Sequence, residues 1–178
     1  MGSHDDLEFA LRLAEIADAV ALRYFTDEDL EVIRKVDGSP VTAADLEVES
    51  RLRDAVGDEF PSDGFLGEEV GGSADASRRW IDGTRLFIDG KPTWETLIAL
   101  EVDGEIVVGV ASSPALGRRW WASRGHGAFT AGADEPQPIA LRVSTTTDLD
   151  AAVGVIRPAS IDVQATIGLP PGAWSTSD

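Results

Sequence analysis

The chain lacks cysteine and is poor in basic residues, and each shortage excludes a class of function. Without cysteine it can form no disulfide, no thiolate nucleophile and no cysteine-ligated zinc site, which fits a cytoplasmic setting. Lys and Arg total 15 against 32 Asp and Glu, so the formal net charge is −17. A negative field of that size repels phosphate backbones and anionic lipid, so we expect neither a nucleic acid nor a membrane partner.

Long apolar runs are also missing, since no stretch reaches the roughly 18 residues that a membrane-spanning helix needs. Residues 1–6 are acidic and include no basic segment followed by an apolar one, so we expect no export signal. Of the 178 residues, 43% are hydrophobic and 26% are charged, a composition typical of a globular chain with one core. We predict a single domain over residues 1–160 and a C-terminal tail over residues 161–178.

The spacing of apolar residues predicts two helices near the start of the chain. Residues 5–25 have apolar side chains three and four positions apart, which is typical of an amphipathic helix. Thr42 stands three residues before Asp45, where an N-cap and a first-turn carboxylate are expected. The second helix is therefore predicted to begin after Thr42 and to end near Gly57.

Strands are predicted after the helices. Apolar runs at residues 97–102 and 105–111 are joined by Asp103-Gly104, a dipeptide typical of two-residue hairpins. Further strands are predicted at residues 65–66, 118–123 and 139–143. Helices followed by hairpin-linked strands indicate an α+β fold, in which two N-terminal helices pack on a mainly antiparallel sheet.

Three acidic patterns are candidates for a functional site. Glu68 and Glu69 follow the strand predicted at 65–66, Asp82 begins the sequence Asp-Gly-Thr, and Asp45 begins the second helix. Each pattern alone has an ordinary explanation: a solvated pair of glutamates, a tight turn, or a charge that favours a helix start. The order in which they occur is more specific than any one of them.

Together with the motifs around them, these patterns resemble the inositol monophosphatase family, whose members hydrolyse phosphate from inositol phosphates, histidinol phosphate, fructose bisphosphate or nucleotide phosphates. The resemblance extends from about residue 5 to about residue 144, and residues 118–122 most resemble the histidinol-phosphatase branch. The matching motifs are Ser39-Pro40-Val41-Thr42-Ala43-Ala44-Asp45, Gly67-Glu68-Glu69 and the stretches 82–90, 92–100 and 124–129.

The resemblance implies a role for each acidic residue. Members of the family use Mg²⁺, a hard cation that prefers carboxylate and water oxygens. By matching position, Glu68 and Asp82 are metal ligands, and Thr84, assisted by Asp45, orients the attacking water. The backbone N–H groups of Gly83 and Thr84 are the expected phosphate-binding donors. Glu69, next to Glu68, is a further candidate catalytic acid.

The chain departs from the family at two of its metal-binding motifs. The family has Trp-x-x-Asp-Pro-x-Asp-Gly-Thr, whereas this chain has Trp80-Ile81-Asp82-Gly83-Thr84, without the first Asp and its Pro. The family's C-terminal Trp-Asp motif is also missing, because Trp174 is followed by Ser175. We therefore expect at most weakly held Mg²⁺. We also expect a homodimer that covers the apolar surface against which the family's second domain packs.

Three functions are compatible with these residues. The favoured hypothesis is a truncated, repurposed enzyme in which Glu68, Glu69, Asp82 and Asp45 perform acid–base chemistry on a small polar or phosphorylated metabolite, with weak or no phosphatase activity. The first alternative is a Mg²⁺-dependent phosphomonoesterase, of the histidinol-phosphate or inositol-phosphate type, whose site is completed across a dimer. The second is a non-catalytic binding module. His126 is interpreted as a surface residue.

Overall fold

The computed structural model describes most of the chain. The described residues are 4–25, 32–34, 40–72, 75–83, 94–135, 137–145, 147, 154–155 and 174–175. Its internal contacts divide the chain into two units, Met1–Leu141 and Arg142–Asp178. The prediction of one domain over residues 1–160 followed by a tail stays a prediction.

The first helix, α1, spans His4–Phe25, as the apolar spacing predicts. Its buried stripe consists largely of alanine, with Ala10, Ala14, Ala17 and Ala21 all fully buried. Such small side chains let a helix approach its neighbours closely. Both the second helix and the sheet contact α1, so it lies at the centre of the core.

The second helix, α2, spans Ala43–Glu59 and begins with a capping box. The Thr42 side chain accepts a hydrogen bond from the Asp45 amide (3.2 Å), and the Asp45 carboxylate accepts one from the Thr42 amide (2.8 Å). Two amides that have no partner within the helix are satisfied in this way. The N-cap predicted at Thr42 is confirmed.

The described residues of the first unit form nine strands. Two of them, β1 (Val32–Arg34) and β2 (Pro40–Thr42), form a separate antiparallel pair. The other seven form one sheet, in which they lie side by side in chain order. They are β3 (Gly64–Leu66), β4 (Arg78–Asp82), β5 (Thr96–Val102), β6 (Glu105–Ser113), β7 (Arg118–Ser123), β8 (Gly127–Gly132) and β9 (Ile139–Leu141).

Every pairing in the large sheet is antiparallel except that of β3 with β4, which is parallel. The turn between β5 and β6 has Asp103 at φ 52° and Gly104 at φ 82°. Two consecutive left-handed residues match a two-residue hairpin turn, in which asparagine or aspartate followed by glycine is favoured. A short 3₁₀ helix, Pro114–Leu116, connects β6 to β7. In the second unit, β10 (Gly154–Val155) pairs in parallel with β11 (Trp174–Ser175).

The core lies between the two helices and one face of the sheet. Trp80 is fully buried there, with its ring edge-on to that of Phe9 at a centroid distance of 4.9 Å. Side chains of β5 and β6 complete the layer, namely Ile98, Leu100, Val108 and Val110. Two helices on a mainly antiparallel sheet form the α+β fold predicted from the sequence, and the prediction is confirmed.

A charged cluster fastens α1 to the edge of the sheet. Arg78 contacts the carboxylates of Asp6 (2.6 Å) and Asp63 (2.8 Å), and the indole N–H of Trp80 also donates to Asp63 (3.0 Å). Burial alone would lower the pKa of Arg78, but the hydrogen bonds to the two carboxylates raise it overall. This cluster of one cation and two buried anions joins α1, the segment before β3, and β4.

A second charged cluster joins the end of α1 to α2. The Glu47 carboxylate accepts hydrogen bonds from Arg23 (2.5 Å), Tyr24 (2.9 Å) and Arg51 (2.8 Å). Hydrogen bonding from Arg23, opposed by burial and assisted by Tyr24 and Arg51, lowers the pKa of Glu47 from 4.5 to about 2. Glu47 is therefore a structural carboxylate.

Candidate active site

Two candidate carboxylates lie at the same edge of the sheet because β3 and β4 are parallel. Leu66, the last residue of β3, pairs with Ile81, the penultimate residue of β4. The chain leaves β3 directly into Gly67-Glu68-Glu69, and β4 ends at Asp82. Since parallel strands have their carboxyl ends at the same edge, Glu68 and Asp82 are brought together there.

The start of α2 contributes the third carboxylate. Asp45 is 6% exposed and is held in the capping box. One turn later on the same helix, Glu49 accepts hydrogen bonds from the amides of Glu69 (2.7 Å) and Val70 (3.1 Å). Because residues four apart lie on the same face of a helix, Asp45 also belongs to the face that meets the turn after β3.

The candidate side chains differ in accessibility. Glu68 is exposed and Glu69 is half-buried, whereas Asp82 is only 5% exposed. Asp82 pairs across the strands with Ile98, a member of the core, so its side chain is on the helix-facing side of the sheet. Among the described candidates, Glu68 is therefore the carboxylate most open to a substrate.

The remaining predicted residues contribute differently. The Gly83 amide donates to the carbonyl oxygen of Leu97 (2.9 Å), so a phosphate beside Gly83 would have to use another donor. Thr84 lies outside the described residues. His126 is exposed, as predicted, and its Nδ1 lies 3.2 Å from the carbonyl oxygen of Arg124.

The donor set does not fit a multi-ion Mg²⁺ site. Within the described ranges, no three or more His, Asp or Glu side chains are grouped closely enough to hold a metal ion. Mg²⁺ demands near-ideal octahedral geometry and is usually anchored by one or two carboxylates plus a substrate phosphate. Among the described residues, Glu68 and Asp82 supply at most that minimum.

Glu49 is a residue of this region that the sequence analysis missed. It is 1% exposed, although it is ionisable and belongs to the helical stripe that includes Val48, Leu52 and Val56. The available signal was a glutamate four residues after Asp45 in an otherwise apolar stripe. A carboxylate at such a position needs hydrogen-bond partners, which the turn after β3 supplies.

The sheet face opposite the helices carries an apolar groove that extends to this edge. The groove has a volume of about 460 Å³, and Gly83 is part of its wall. Trp120 and Trp121 are both among the lining residues, and Trp121 also packs against the core. The other lining side chains include Ile81, Leu97, Ala99, Ala111 and Leu141.

Comparison with known proteins assigns the chain to a family. The model of the inositol monophosphatase family matches residues 4–167, which is most of the chain. This chain belongs to the inositol monophosphatase family. The resemblance inferred from Gly67-Glu68-Glu69 and the neighbouring motifs is thereby confirmed.

The most similar curated relatives in this family include three named histidinol-phosphatase. The one from Mycobacterium tuberculosis is 50% identical over 155 residues, which cover 84% of this chain and 59% of the relative. The one from Chlorobaculum parvum is 46% identical over 132 residues, which cover 71% of this chain and 51% of the relative. The chain thus spans between half and three fifths of the length of these relatives.

Solved structures of the family share the fold. The IMPase of Thermotoga maritima superposes with a TM-score of 0.72 at 29% identity, covering 85% of this chain and 58% of that one.

Among the described residues, no helix is long and apolar enough to cross a membrane.

Proposed function

We propose that this family member acts on a small polar metabolite, of the phosphorylated kind its relatives use, by carboxylate acid–base chemistry with weak or no phosphate hydrolysis. The observation that carries the proposal is the convergence of two parallel strand ends and a helix start at one edge of the sheet. Glu68 and Glu69 would be the groups that exchange a proton with a bound substrate. The buried Asp45 and Asp82 would fix the surrounding geometry.

The second candidate is a Mg²⁺-dependent phosphomonoesterase for histidinol phosphate whose site is completed by a second copy of the chain. Its support is the 50% identity to a histidinol-phosphatase and the apolar groove that reaches Gly83. In this case Glu68 and Asp82 would supply part of the metal ligands, Thr84 would orient water, and the partner would supply the missing carboxylates. Mg²⁺ is Lewis-acidic and would neutralise the phosphate.

A Mg²⁺ titration separates the two candidates. We would measure phosphate release from histidinol phosphate and inositol 1-phosphate by the purified chain, metal binding by calorimetry, and metabolite binding by thermal shift. We expect saturable metabolite binding, weak Mg²⁺ binding and slow or absent hydrolysis, because two cations need more negative charge between them than Glu68 and Asp82 provide. Tight binding of two ions with rapid turnover would instead establish the phosphomonoesterase. A chain that binds the metabolites but transforms none of them would be a binding module.

We also propose that the chain forms a homodimer through the grooved face of the sheet. Leu97, Ile139 and Leu141 on or beside this face are 43%, 49% and 39% exposed. A contiguous apolar surface of this kind is typical of an interaction site, and a second copy offers a matching one.

Light scattering at micromolar concentration tests the dimer. The wild-type chain should have twice the monomer mass, and Leu97→Lys should be monomeric, because a charge would be buried in the interface. Leu46→Lys is the matched control, since Leu46 is 40% exposed but lies on α2, on the opposite side of the sheet. A monomeric wild type, or equal dissociation by both variants, would contradict the proposed interface.

A further inference from the structure

We infer that Glu49 and Arg53 of α2 are positioning residues that hold the turn of residues 67–71, and with it the carboxylate of Glu68. The inference rests on the proposed function for the role of Glu68 itself. We call this arrangement the turn clamp. It connects the buried face of α2 to the segment that follows β3.

The Glu49 carboxylate is the hydrogen-bond acceptor for two backbone amides of the turn. One of its oxygens lies 2.7 Å from the Glu69 amide, and the other lies 3.1 Å from the Val70 amide. Arg53 donates to Glu49 at 2.5 Å, so the buried negative charge is balanced. Hydrogen bonds from amides to an ionised carboxylate are stronger than those to a neutral acceptor.

Arg53 holds the far end of the same turn. Its guanidinium also donates to the carbonyl oxygen of Gly71 (2.9 Å) and lies 4.8 Å from the ring centre of Phe65 in β3. A bridge between Leu66 and Gly72 closes the loop beyond it. Both ends of the turn are therefore attached to α2 or to β3.

The clamp requires glycine at position 67, because a larger side chain there would collide with the Glu49 carboxylate. A Cβ atom built on Gly67 would lie 2.0 Å from Cδ of Glu49, although Gly67 does not have a positive φ. The carboxylate thus occupies the volume that any other residue at position 67 would fill. The glycine of Gly67-Glu68-Glu69 and the buried Glu49 form one complementary pair.

The contacts favour a positioning role over simple core stabilisation. Glu49 follows Val48 and precedes Leu52 in the buried stripe, where an apolar residue would pack without the cost of desolvating a charge. Glu68 is exposed and lies within this turn, so a shift of the turn's backbone would move its carboxylate. A displacement of about 1 Å in such a group can lower turnover about 100-fold.

The first test compares Glu49→Gln and Arg53→Met with Asp54→Asn, which changes an exposed carboxylate on the same helix. We expect the amides of residues 69 and 70 to exchange hydrogen at least about tenfold faster in the first two variants. For any substrate transformed, kcat should fall about tenfold with little change in KM, because Glu68 is misdirected while substrate contacts remain. Arg53→Lys, which keeps the charge, should restore part of the loss.

The second test uses the close approach of Gly67. Gly67→Ala should accelerate hydrogen exchange at the amides of residues 69 and 70 in the wild-type background. In a double variant that also carries Glu49→Ala, it should have no further effect, because the new methyl group then fits. Unchanged exchange in Glu49→Gln, or additive effects in the double variant, would overturn the clamp. Faster exchange with kinetics equal to Asp54→Asn would overturn the positioning role. A wild type that transforms no substrate would refute the proposed function, and the exchange results would still decide the clamp.

Discussion

Glu68→Gln and Asp82→Asn should each lower turnover of the substrate by about 100-fold or more, the first through loss of a general acid or base and the second through loss of the carboxylate that fixes the geometry around it. Glu68 is the exposed carboxylate at the shared edge, and Asp82 ends the adjacent parallel strand. Each replacement keeps the shape of the side chain and removes its charge. The measurement is kcat and kcat/KM for whichever substrate the metabolite panel identifies.

Stability provides the internal check on this result. Because functional carboxylates are commonly held at some cost to stability, the melting temperature of both variants should stay near that of the wild type or rise. His126→Ala is the control for a surface change, since His126 is exposed, and we expect it to leave activity unaltered. Full activity in both carboxylate variants would show that this edge is not the working site. The groove lined by Trp120 would then be the next candidate for the working site.

Local features of the fold were predictable because their causes lie within a few residues. Thr42 and Asp45, which are three residues apart, form the capping box of α2. Asp103-Gly104 favours the two-residue turn that it forms. Each of these features depends on backbone geometry that a short sequence encodes.

Features that depend on distant contacts were not predictable in this way. The parallel pairing of β3 with β4, which brings Glu68 beside Asp82, is a consequence of the whole sheet. The clamp formed by Glu49 depends on a turn about twenty residues further along the chain. The periodicity of α2 shows only that a glutamate lies in an apolar stripe, and it does not indicate which groups bind its carboxylate. Family resemblance supplied the site residues, but it did not indicate this contact.

The net negative charge of the chain does not show how its acidic side chains are distributed in the structure. Several buried carboxylates are balanced by arginine, as Asp6 and Asp63 are by Arg78, and Glu49 is by Arg53. These ion pairs stabilise the fold, and their arginines are already occupied by buried carboxylates. Any anion bound at the edge would therefore depend on local donors rather than on the field of the whole chain.

Arg78→Ala should lower the free energy of unfolding by about 3 kcal/mol, the lower end of the range for breaking a buried ion pair. The side chain of Arg78 is 29% exposed, whereas those of Asp6 and Asp63 are 9% and 5% exposed. Its removal would leave two buried carboxylates without their shared cation, and would also remove the guanidinium that lies 5.3 Å from the ring centre of Phe60. Urea unfolding followed by tryptophan fluorescence measures the change, because Trp80 is hydrogen-bonded to Asp63 within the cluster.

Arg124→Ala is the matched control for this prediction. Arg124 pairs with Glu105 at 2.5 Å, but the two side chains are 50% and 64% exposed. Water screens such a pair and its side chains lose entropy when they are held together, so we expect a change below about 1 kcal/mol. If Arg78→Ala cost no more than Arg124→Ala, the cluster would contribute nothing beyond an ordinary surface ion pair. The attachment of α1 to the sheet would then depend on other contacts, such as the apolar packing of Phe9 against Trp80 and the ion pair of Asp18 with Arg119.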